Sequence, residues 1–292
     1  ALTKLVEKES PNHITIADLP DYDLRDRQDC EHICHNKDII FHVAGIKGSP
    51  QRCMESPASF SVPMIQFNAN MIEAAYNAGV EWFLYTSSVG VYHPADVFVE
   101  DDVWETFPSE NDWYAGWAKR VGEMNVEAYM KEYNWNRCSI VRPANVYGPN
   151  DNFNIDNGHV LPALIHKCYL AKNNNTDFSV WGSGKPLREF IYSEDVAKLT
   201  EWVLDEYDED EPIIFTTSEE ISIKDVVGLI VDAMGYEGKV NWQEDKPDGQ
   251  YRKPSDNSKL KSYLPDFEFT PIDVGIKKSV EWFVENYEKA RK

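Results

Sequence analysis

Residues 67–85 read FNANMIEAAYNAGVEWFLY and combine the two patterns that decide the fold of this chain. Apolar residues recur with helical periodicity from Phe67 to Ala78, and the apolar run from Trp82 to Tyr85 is typical of a buried strand. The same alternation predicts further strands at Ile14–Ala17, Ile39–Val43, Cys138–Val141 and Ile213–Phe215, and further helices at Trp117–Tyr133, Val196–Leu204, Ile223–Met234 and Val274–Ala290. Strands that alternate with helices predict an α/β fold with a doubly wound parallel sheet covered on both faces.

The pattern loosens after Val146, where a polar run rich in glycine, proline and asparagine begins. We therefore expect a second, smaller α/β part that interleaves with the first. The predicted division gives residues 1–147, with 189–216 returning to them, to a dinucleotide-binding domain, and 148–188 with 217–292 mainly to a substrate-binding domain.

Acidic residues outnumber basic ones, and the formal net charge is −21. Such a charge repels nucleic-acid phosphates and anionic membranes, so we expect neither as a partner, and an anionic ligand would need a local basic cluster. No apolar run approaches the ~20 residues of a membrane span. The five scattered cysteines are odd in number, which is typical of reduced thiols in a cytosolic protein. These features favour a cytoplasmic globular protein.

Residues Ala1–Lys8 have the pattern of a helix. In a dinucleotide-binding fold that helix follows a first strand and a glycine-rich turn whose amides bind pyrophosphate, and neither precedes it in this sequence. Three explanations stay open: an incomplete gene, a segment missing from the sequence, or a protein that lacks the element. Asp18 follows the next predicted strand, where an acidic residue would bind the adenosine ribose and favour NAD over NADP. A solvated acid in an acidic loop is the alternative for Asp18.

Residues 180–197, VWGSGKPLREFIYSEDVA, place an aromatic residue, a glycine-rich turn and an arginine before an acidic helix start. Trp181 can stack on a flat ring, the glycines let the backbone approach a ligand, and Arg188 can bind phosphate with a fixed fork of donors. This combination suits a nucleoside diphosphate.

Together with Ser87-Ser88, Tyr114, Lys119 and the later segment Lys246–Lys253, this stretch resembles the extended short-chain dehydrogenase/reductases, and among them the GDP-L-fucose synthases. The resemblance runs from about Ile14 to the last helix. It implies a Rossmann-like fold, NADP or NAD as cofactor and a nucleotide sugar, with GDP as its nucleotide, as substrate. It also implies an epimerase/reductase acting on a 4-keto or 4-hydroxy sugar, and a homodimer paired through the helices at 67–78 and 117–133.

In this superfamily a tyrosine exchanges the hydroxyl proton, a nearby lysine lowers the tyrosine pKa and binds the nicotinamide ribose, and a serine hydrogen-bonds the reacting oxygen. The resemblance assigns these roles to Tyr114, Lys119 and Ser88. It further implies cofactor contacts from Asp18, Ala44, Lys119 and Asn145, and contacts with the GDP part from Lys167, Trp181, Arg188, Arg252 and Lys253.

Tyr114 and Lys119 are one residue further apart than the family's Tyr-x-x-x-Lys. Side chains five positions apart on a helix point about 140° apart, against about 40° for four. Either Tyr114 precedes the regular helix, or Gly116 allows a π-bulge that absorbs the extra residue, or Ala115 has taken the acid's place and Tyr114 is a packing residue.

His159 matches the family's histidine that serves as an acid during epimerisation, although a lone histidine before an apolar helix is more often structural. The family's partner cysteine comes just after the serine, and this chain has Val89-Gly90 there. Two-base epimerisation therefore lacks its thiolate, whereas reduction, 4-epimerisation or dehydration would not need it.

Two alternatives to the epimerase/reductase stay open. An NAD-dependent nucleotide-sugar 4-epimerase or dehydratase is favoured by Asp18 and by the lost cysteine. A non-catalytic sugar-nucleotide-binding relative is favoured by the missing glycine-rich turn and by the shifted spacing of Tyr114. The segment Cys30–His35 packs two thiols and two imidazoles into six residues, but no second ligand pair follows and we expect no metal site.

Overall fold

The computed structural model describes residues 1–9, 14–46, 50–246, 248 and 250–292. The helices are α1 (Leu2–Glu9), α2 (Arg27–Cys34), α3 (Pro50–Glu55), α4 (Pro57–Ala78), α5 (Trp113–Tyr133), α6 (Val160–Asn174), α7 (Ser193–Glu206), α8 (Ile223–Met234), α9 (Ser258–Tyr263) and α10 (Ile272–Glu285). The strands are β1 (Ile39–His42), β2 (Trp82–Thr86), β3 (Cys138–Pro143), β4 (Asn145–Tyr147), β5 (Phe178–Trp181), β6 (Leu187–Tyr192), β7 (Ile213–Phe215), β8 (Glu220–Ser222) and β9 (Val240–Gln243).

The main sheet is parallel, with the strand order β1-β2-β3-β7. Alternate residues of β2 enter different cores, as the two-residue period of a strand requires. Phe83 and Tyr85 pack in one core with residues of α2, α4 and α5. Leu84 packs in the other with Leu199 and Val203 of α7. Helices therefore cover both faces, and the predicted doubly wound α/β fold is confirmed.

The predicted strand Ile14–Ala17 is wrong. Residues 14–18 belong to no strand, and Ile14 and Ile16 are 39% and 68% exposed. A strand needs a neighbour for its backbone N–H and C=O groups, and within the described residues β1 pairs with β2 alone.

Several predicted helix ends also differ from the structure, and two of them differ by five residues or more. Helix α4 begins ten residues before Phe67, with Pro57 in its first turn, where a missing N–H costs nothing. Helix α10 ends at Glu285 rather than Ala290. At its end the Asn286 side chain donates to Trp282 O at 2.9 Å and competes with a further helical turn.

A second group of elements surrounds a separate apolar core. Strands β4, β6 and β8 form one small sheet, and β5 pairs with β9 in another. Phe178 of β5, Ile230 of α8 and Phe283 of α10 are fully buried in this core. The domain boundaries themselves stay a prediction.

The Cys30–His35 segment contributes thiols to the core rather than ligands to one point. Cys30 and Cys34 face inward from α2, and burial raises the pKa of their thiols to about 12 and about 11. His32 and His35 are exposed. Among the described residues no group of three or more histidine, cysteine or acidic side chains could hold a metal ion, and no helix combines the length and apolar character needed to span a membrane.

Candidate active site

The Lys119 ammonium lies at the carboxyl end of the main sheet. Its Nζ donates to Thr86 O at 2.6 Å, where β2 ends, and to Ala44 O at 3.3 Å, just after β1. Ligands of open α/β sheets bind outside the carboxyl ends of the strands. The structure thus joins two of the predicted cofactor residues, Ala44 and Lys119, at the edge where a nucleotide cofactor belongs.

A buried polar network holds the backbone of α5 beneath this lysine. His42 Nε2 lies 2.8 Å from Asn68 Oδ1, the Asn68 amide donates to the Tyr85 hydroxyl at 3.0 Å, and that hydroxyl donates to Lys119 O at 3.2 Å. A Cβ at Gly122 would collide with the Tyr85 hydroxyl, so glycine permits this approach. Burial lowers the pKa of His42 to about 4, although its hydrogen bond with Asn68 opposes the shift. His42 and Asn68 were not identified from the sequence. Both are polar residues within apolar segments, the strand β1 and the buried face of α4, and that contrast could have indicated them.

Tyr114 does not lie on the face of α5 that carries Lys119. The helix is regular from Trp113 to Tyr133, which excludes both a late helix start and a π-bulge at Gly116. Tyr114 is 44% exposed, and five positions separate it from Lys119 on a regular helix, which places the two side chains about 140° apart. One turn before Lys119 stands Ala115, half-buried in a cluster that includes Ala44. The structure therefore favours Ala115 at the position of the family's acid, and the catalytic role of Tyr114 stays a prediction.

Ser88 lies in a tight turn beside the start of α5. Its Oγ accepts a hydrogen bond from Gly90 N at 3.1 Å. A Cβ at Gly116 would lie 2.9 Å from Gly90 O and 2.7 Å from Pro108 Cβ, so the helix touches this turn only because position 116 is glycine. The neighbouring Ser87 hydroxyl is buried without a hydrogen-bond partner among the described residues.

A buried ion pair anchors the segment that follows Ser88. Arg142 of β3 donates to the Glu123 carboxylate through Nε at 3.0 Å and Nη2 at 2.8 Å. Its Nη1 donates to the Tyr92 hydroxyl and to Glu100 O, both at 2.7 Å. Burial alone would lower the pKa of Arg142, but the hydrogen bonds and charge of Glu123 outweigh it and raise that pKa. The pair thus fastens the 92–100 segment to the sheet and to α5.

The Trp181–Gly184 turn is held by an aspartate from the later motif. Ser183 donates to Asp248 from its backbone N at 2.6 Å and from its hydroxyl at 2.7 Å. Gly182 and Gly184 have φ of +82° and +73°, which side chains disfavour. A Cβ on Gly182 would also collide with the Asp248 carboxylate. Of that motif, Pro247 and Gly249 lie outside the described residues.

Lys167 and Trp181 come together beside a cavity of about 330 Å³. Lys167 Nζ lies 4.5 Å from the centroid of the Trp181 ring, within cation–π range. Burial lowers the pKa of Lys167. The indole is 53% exposed, so it offers a flat apolar surface at the cavity mouth.

Arg188, Arg252 and Lys253 are also neighbours, because Leu187 N donates to Tyr251 O and joins β6 to the 251–253 segment. Arg188 Nη1 donates to Leu187 O at 2.6 Å. Burial lowers the pKa of Arg188, and the carboxylates of Asp112 and Glu220 oppose that shift.

Each of the other two cations in this group has a carboxylate partner. Arg252 Nε donates to both Glu220 oxygens at 3.0 Å, and Lys253 pairs with Asp112. Sequence reasoning missed Asp112 and Glu220, because nothing in an acidic chain distinguishes them from its other acids.

The remaining predicted site residues are His159, Asn145 and Asp18. His159 is half-buried and is the residue before the first turn of α6. The Asn145 amide donates to Glu189 O at 2.8 Å, between β4 and β6. Asp18 is exposed, and its carboxylate accepts from Leu19 N at 2.9 Å.

Comparison with known proteins gives consistent relatives. The NAD dependent epimerase/dehydratase family matches residues 1–216. A GDP-L-fucose synthase of Dictyostelium discoideum is 40% identical over 259 residues, which cover 87% of this chain and 80% of that protein. A GDP-L-fucose synthetase of Naegleria fowleri, solved bound to NADP, is 36% identical with a TM-score of 0.92, covering 100% of this chain and 90% of the other. These findings confirm the resemblance and the Rossmann-like fold inferred from the sequence.

Proposed function

The chain belongs to the NAD-dependent epimerase/dehydratase family, and from that premise we propose that it is an NADP-dependent epimerase/reductase acting on a GDP-linked 4-keto sugar. The observation that carries the proposal is the joint presence of the Lys119 site and of a cationic, aromatic cradle for a nucleoside diphosphate. This cradle consists of Lys167, Trp181, Arg188, Arg252 and Lys253. The names of the relatives, GDP-L-fucose synthases, support the choice of base and sugar.

The cradle suits the nucleotide in two parts. The exposed face of Trp181 is available to stack on the base, and Lys167 lies beside it. Arg188, Arg252 and Lys253 supply the local positive charge that a diphosphate needs on a chain of net charge −21. Charge-assisted bonds to phosphate would replace the present pairs with Glu220 and Asp112.

The described residues fit the nicotinamide half of NADP. The buried Ser87 hydroxyl has no partner among them, and the Gly45 backbone lies beside Lys119, because a Cβ built there would be in contact with Nζ at 3.7 Å. When bound, NADPH supplies the hydride for C4 of the sugar. Lys119 would hold the ribose and Ser88 would hydrogen-bond the C4 oxygen. Asp18 favours NAD by its type, but the NADP-bound relative supports NADP.

Calorimetric titration with GDP tests the cradle. Arg188→Ala should weaken GDP binding about tenfold or more, because it removes a charge-assisted contact worth ~1.5–3 kcal/mol. Lys185→Ala is the matched control, since Lys185 is an exposed cation three residues away, and it should bind GDP as the unmodified chain does. Equal affinities in the two variants would remove Arg188 from the site.

A binding protein without reductase activity is the second candidate. It is favoured by Tyr114, which lies off the Lys119 face, and by Ala115, which lies on it. Such a protein would bind GDP-sugars and leave NADPH unoxidised.

A further inference from the structure

The proposed function needs a group that removes a proton from a sugar carbon beside the 4-keto group. The family's thiolate is absent, because Val89 and Gly90 occupy the region just after Ser88 where the family has its cysteine. A Cβ added to Gly90 would lie 3.4 Å from Ser88 Oγ and 3.9 Å from both Cγ and Oδ1 of Asp112. The Asp112 carboxylate therefore borders the same small space as the Ser88 hydroxyl.

The orientation of Asp112 is unusual for its place in the fold. It is the N-cap residue of α5, where aspartate commonly accepts a hydrogen bond from the first turn of the helix. Its side chain makes no such bond. It turns instead toward Gly90, and its Oδ2 accepts from Ser109 Oγ at 3.1 Å and pairs with Lys253. The side chain is 27% exposed, so the carboxylate is accessible to a ligand.

The backbone fixes this carboxylate in place. Asp112 N donates to Ser109 O at 3.1 Å and to Ser109 Oγ at 3.2 Å, which closes a short 3₁₀ helix at 110–112. Arg188 and Lys253 lie close enough to interact with its charge. A diphosphate that took over Lys253 would leave the Asp112 carboxylate next to the sugar that the diphosphate carries.

We propose that Asp112 is the base that replaces the family's thiolate, an inference that rests on the proposed epimerase function. The C–H bond beside the 4-keto group breaks, its electron pair enters the enolate, and the proton passes to the Asp112 carboxylate. The acid that returns a proton to that carbon and forms the new C–H bond is the one that the family resemblance implies, His159. Both side chains then regain their protonation states by exchange with water, so no oxidant or reductant is consumed. A plain aspartate is a competent base for carbon acids of this kind.

The test is the uptake of solvent deuterium into GDP-4-keto-6-deoxymannose, followed by NMR without NADPH. The unmodified protein should exchange the hydrogens beside the keto group. Asp112→Asn should slow this exchange ~10²-fold or more, as expected for a lost general base. Glu110→Gln, an exposed acid in the same short helix, should exchange normally. Calorimetry should show that Asp112→Asn binds GDP at least as tightly as the unmodified protein, because the Asp112 carboxylate no longer competes with the diphosphate for Lys253.

A cysteine at position 90 separates a chemical role from a structural one. The contacts of a Cβ there, 3.4 Å and 3.9 Å, are ordinary, so the backbone position admits a Cβ without a collision. Gly90→Cys in the Asp112→Asn background should restore exchange. Undiminished exchange in Asp112→Asn would overturn the proposal, and so would exchange that appears in Gly90→Cys but not in the unmodified protein. If the unmodified protein and the Gly90→Cys variant both bind GDP but neither exchanges these hydrogens, the epimerase function is excluded together with the role of Asp112.

Discussion

The buried imidazole of His42 should make the fold sensitive to acid. Its lowered pKa means that the folded state keeps it neutral, whereas the unfolded chain takes up a proton below its ordinary value of ~6.5. Stability from this group is therefore complete above pH ~6.5 and is lost as the pH falls toward 4. Between about pH 7.5 and about pH 5 we expect a loss of roughly 2 kcal/mol in the free energy of unfolding.

Urea unfolding at those two pH values measures this loss. His42→Gln, which cannot titrate, should show a pH dependence smaller by that amount. His35→Gln is the control, because His35 is exposed, and it should behave as the unmodified protein does. The same pH dependence in the His42 variant would contradict the assignment.

Tyr114 and Ala115 make a second prediction at the residue scale. Tyr114 points away from Lys119, so Tyr114→Phe should change the rate of NADPH oxidation less than about threefold. Ala115→Tyr would place a hydroxyl one helical turn before Lys119, and general acid catalysis from there should raise that rate at least ~10-fold. A loss of ~10²-fold or more in Tyr114→Phe would return the acid's role to Tyr114.

The sequence predicts the position of a site residue only where that position depends on neighbours in the chain and not on tertiary contacts. The position of Lys119 could be predicted from its neighbours alone. The direction of Tyr114 could not, because it depends on where α5 begins, and close to that start Gly116 lies against Pro108 and Gly90, which the sequence pattern does not reveal. Asp112 escaped prediction for the same reason, since its partner Lys253 is 141 residues away.

At the scale of elements, the buried pair of Arg142 and Glu123 joins β3 to α5. Removing one partner of a buried pair leaves an uncompensated charge, which costs about 3–5 kcal/mol. Glu123→Ala should lower the free energy of unfolding by that amount in chemical denaturation. Glu132→Ala, on the exposed side of the same helix, should change it by less than ~0.5 kcal/mol. Similar losses in both variants would show that the pair does not anchor the helix.

Elements with apolar periodicity were predictable, and those that depend on a neighbour were not. Helix α8 and strand β7 have the predicted limits. The pattern at Ile14–Ala17 carries no information about whether a partner strand lies beside it. The early start of α4 at Pro57 was also hidden, because Pro63 interrupts the helical pattern in the sequence.

For the whole molecule, we propose a homodimer formed through α4 and α5, which pack against each other. Met124 of α5 is 50% exposed, and Val62 and Ile65 of α4 are exposed as well. Trp117 and Tyr129 instead pack in aromatic clusters of their own chain. In a twofold interface each of these exposed residues is buried in both protomers, so one substitution to a charged residue places two charges in the interface.

Met124→Glu should therefore convert a dimer into a monomer in sedimentation experiments at micromolar concentration. Val284→Glu adds the same charge at an exposed residue of α10 and should leave the dimer intact. A monomeric unmodified protein, or a dimer that survives Met124→Glu, would exclude this interface.

The central claim is that the Lys119 site and the nucleotide cradle act on one substrate. The most direct measurement is the absorbance of NADPH after GDP-4-keto-6-deoxymannose is added to the protein, with NMR of the sugar product. We predict that one NADPH is consumed per sugar and that the product carries a C4 hydroxyl and inverted carbons beside it. A protein that binds this GDP-sugar in calorimetry but leaves NADPH unoxidised would contradict the account and establish the binding role instead.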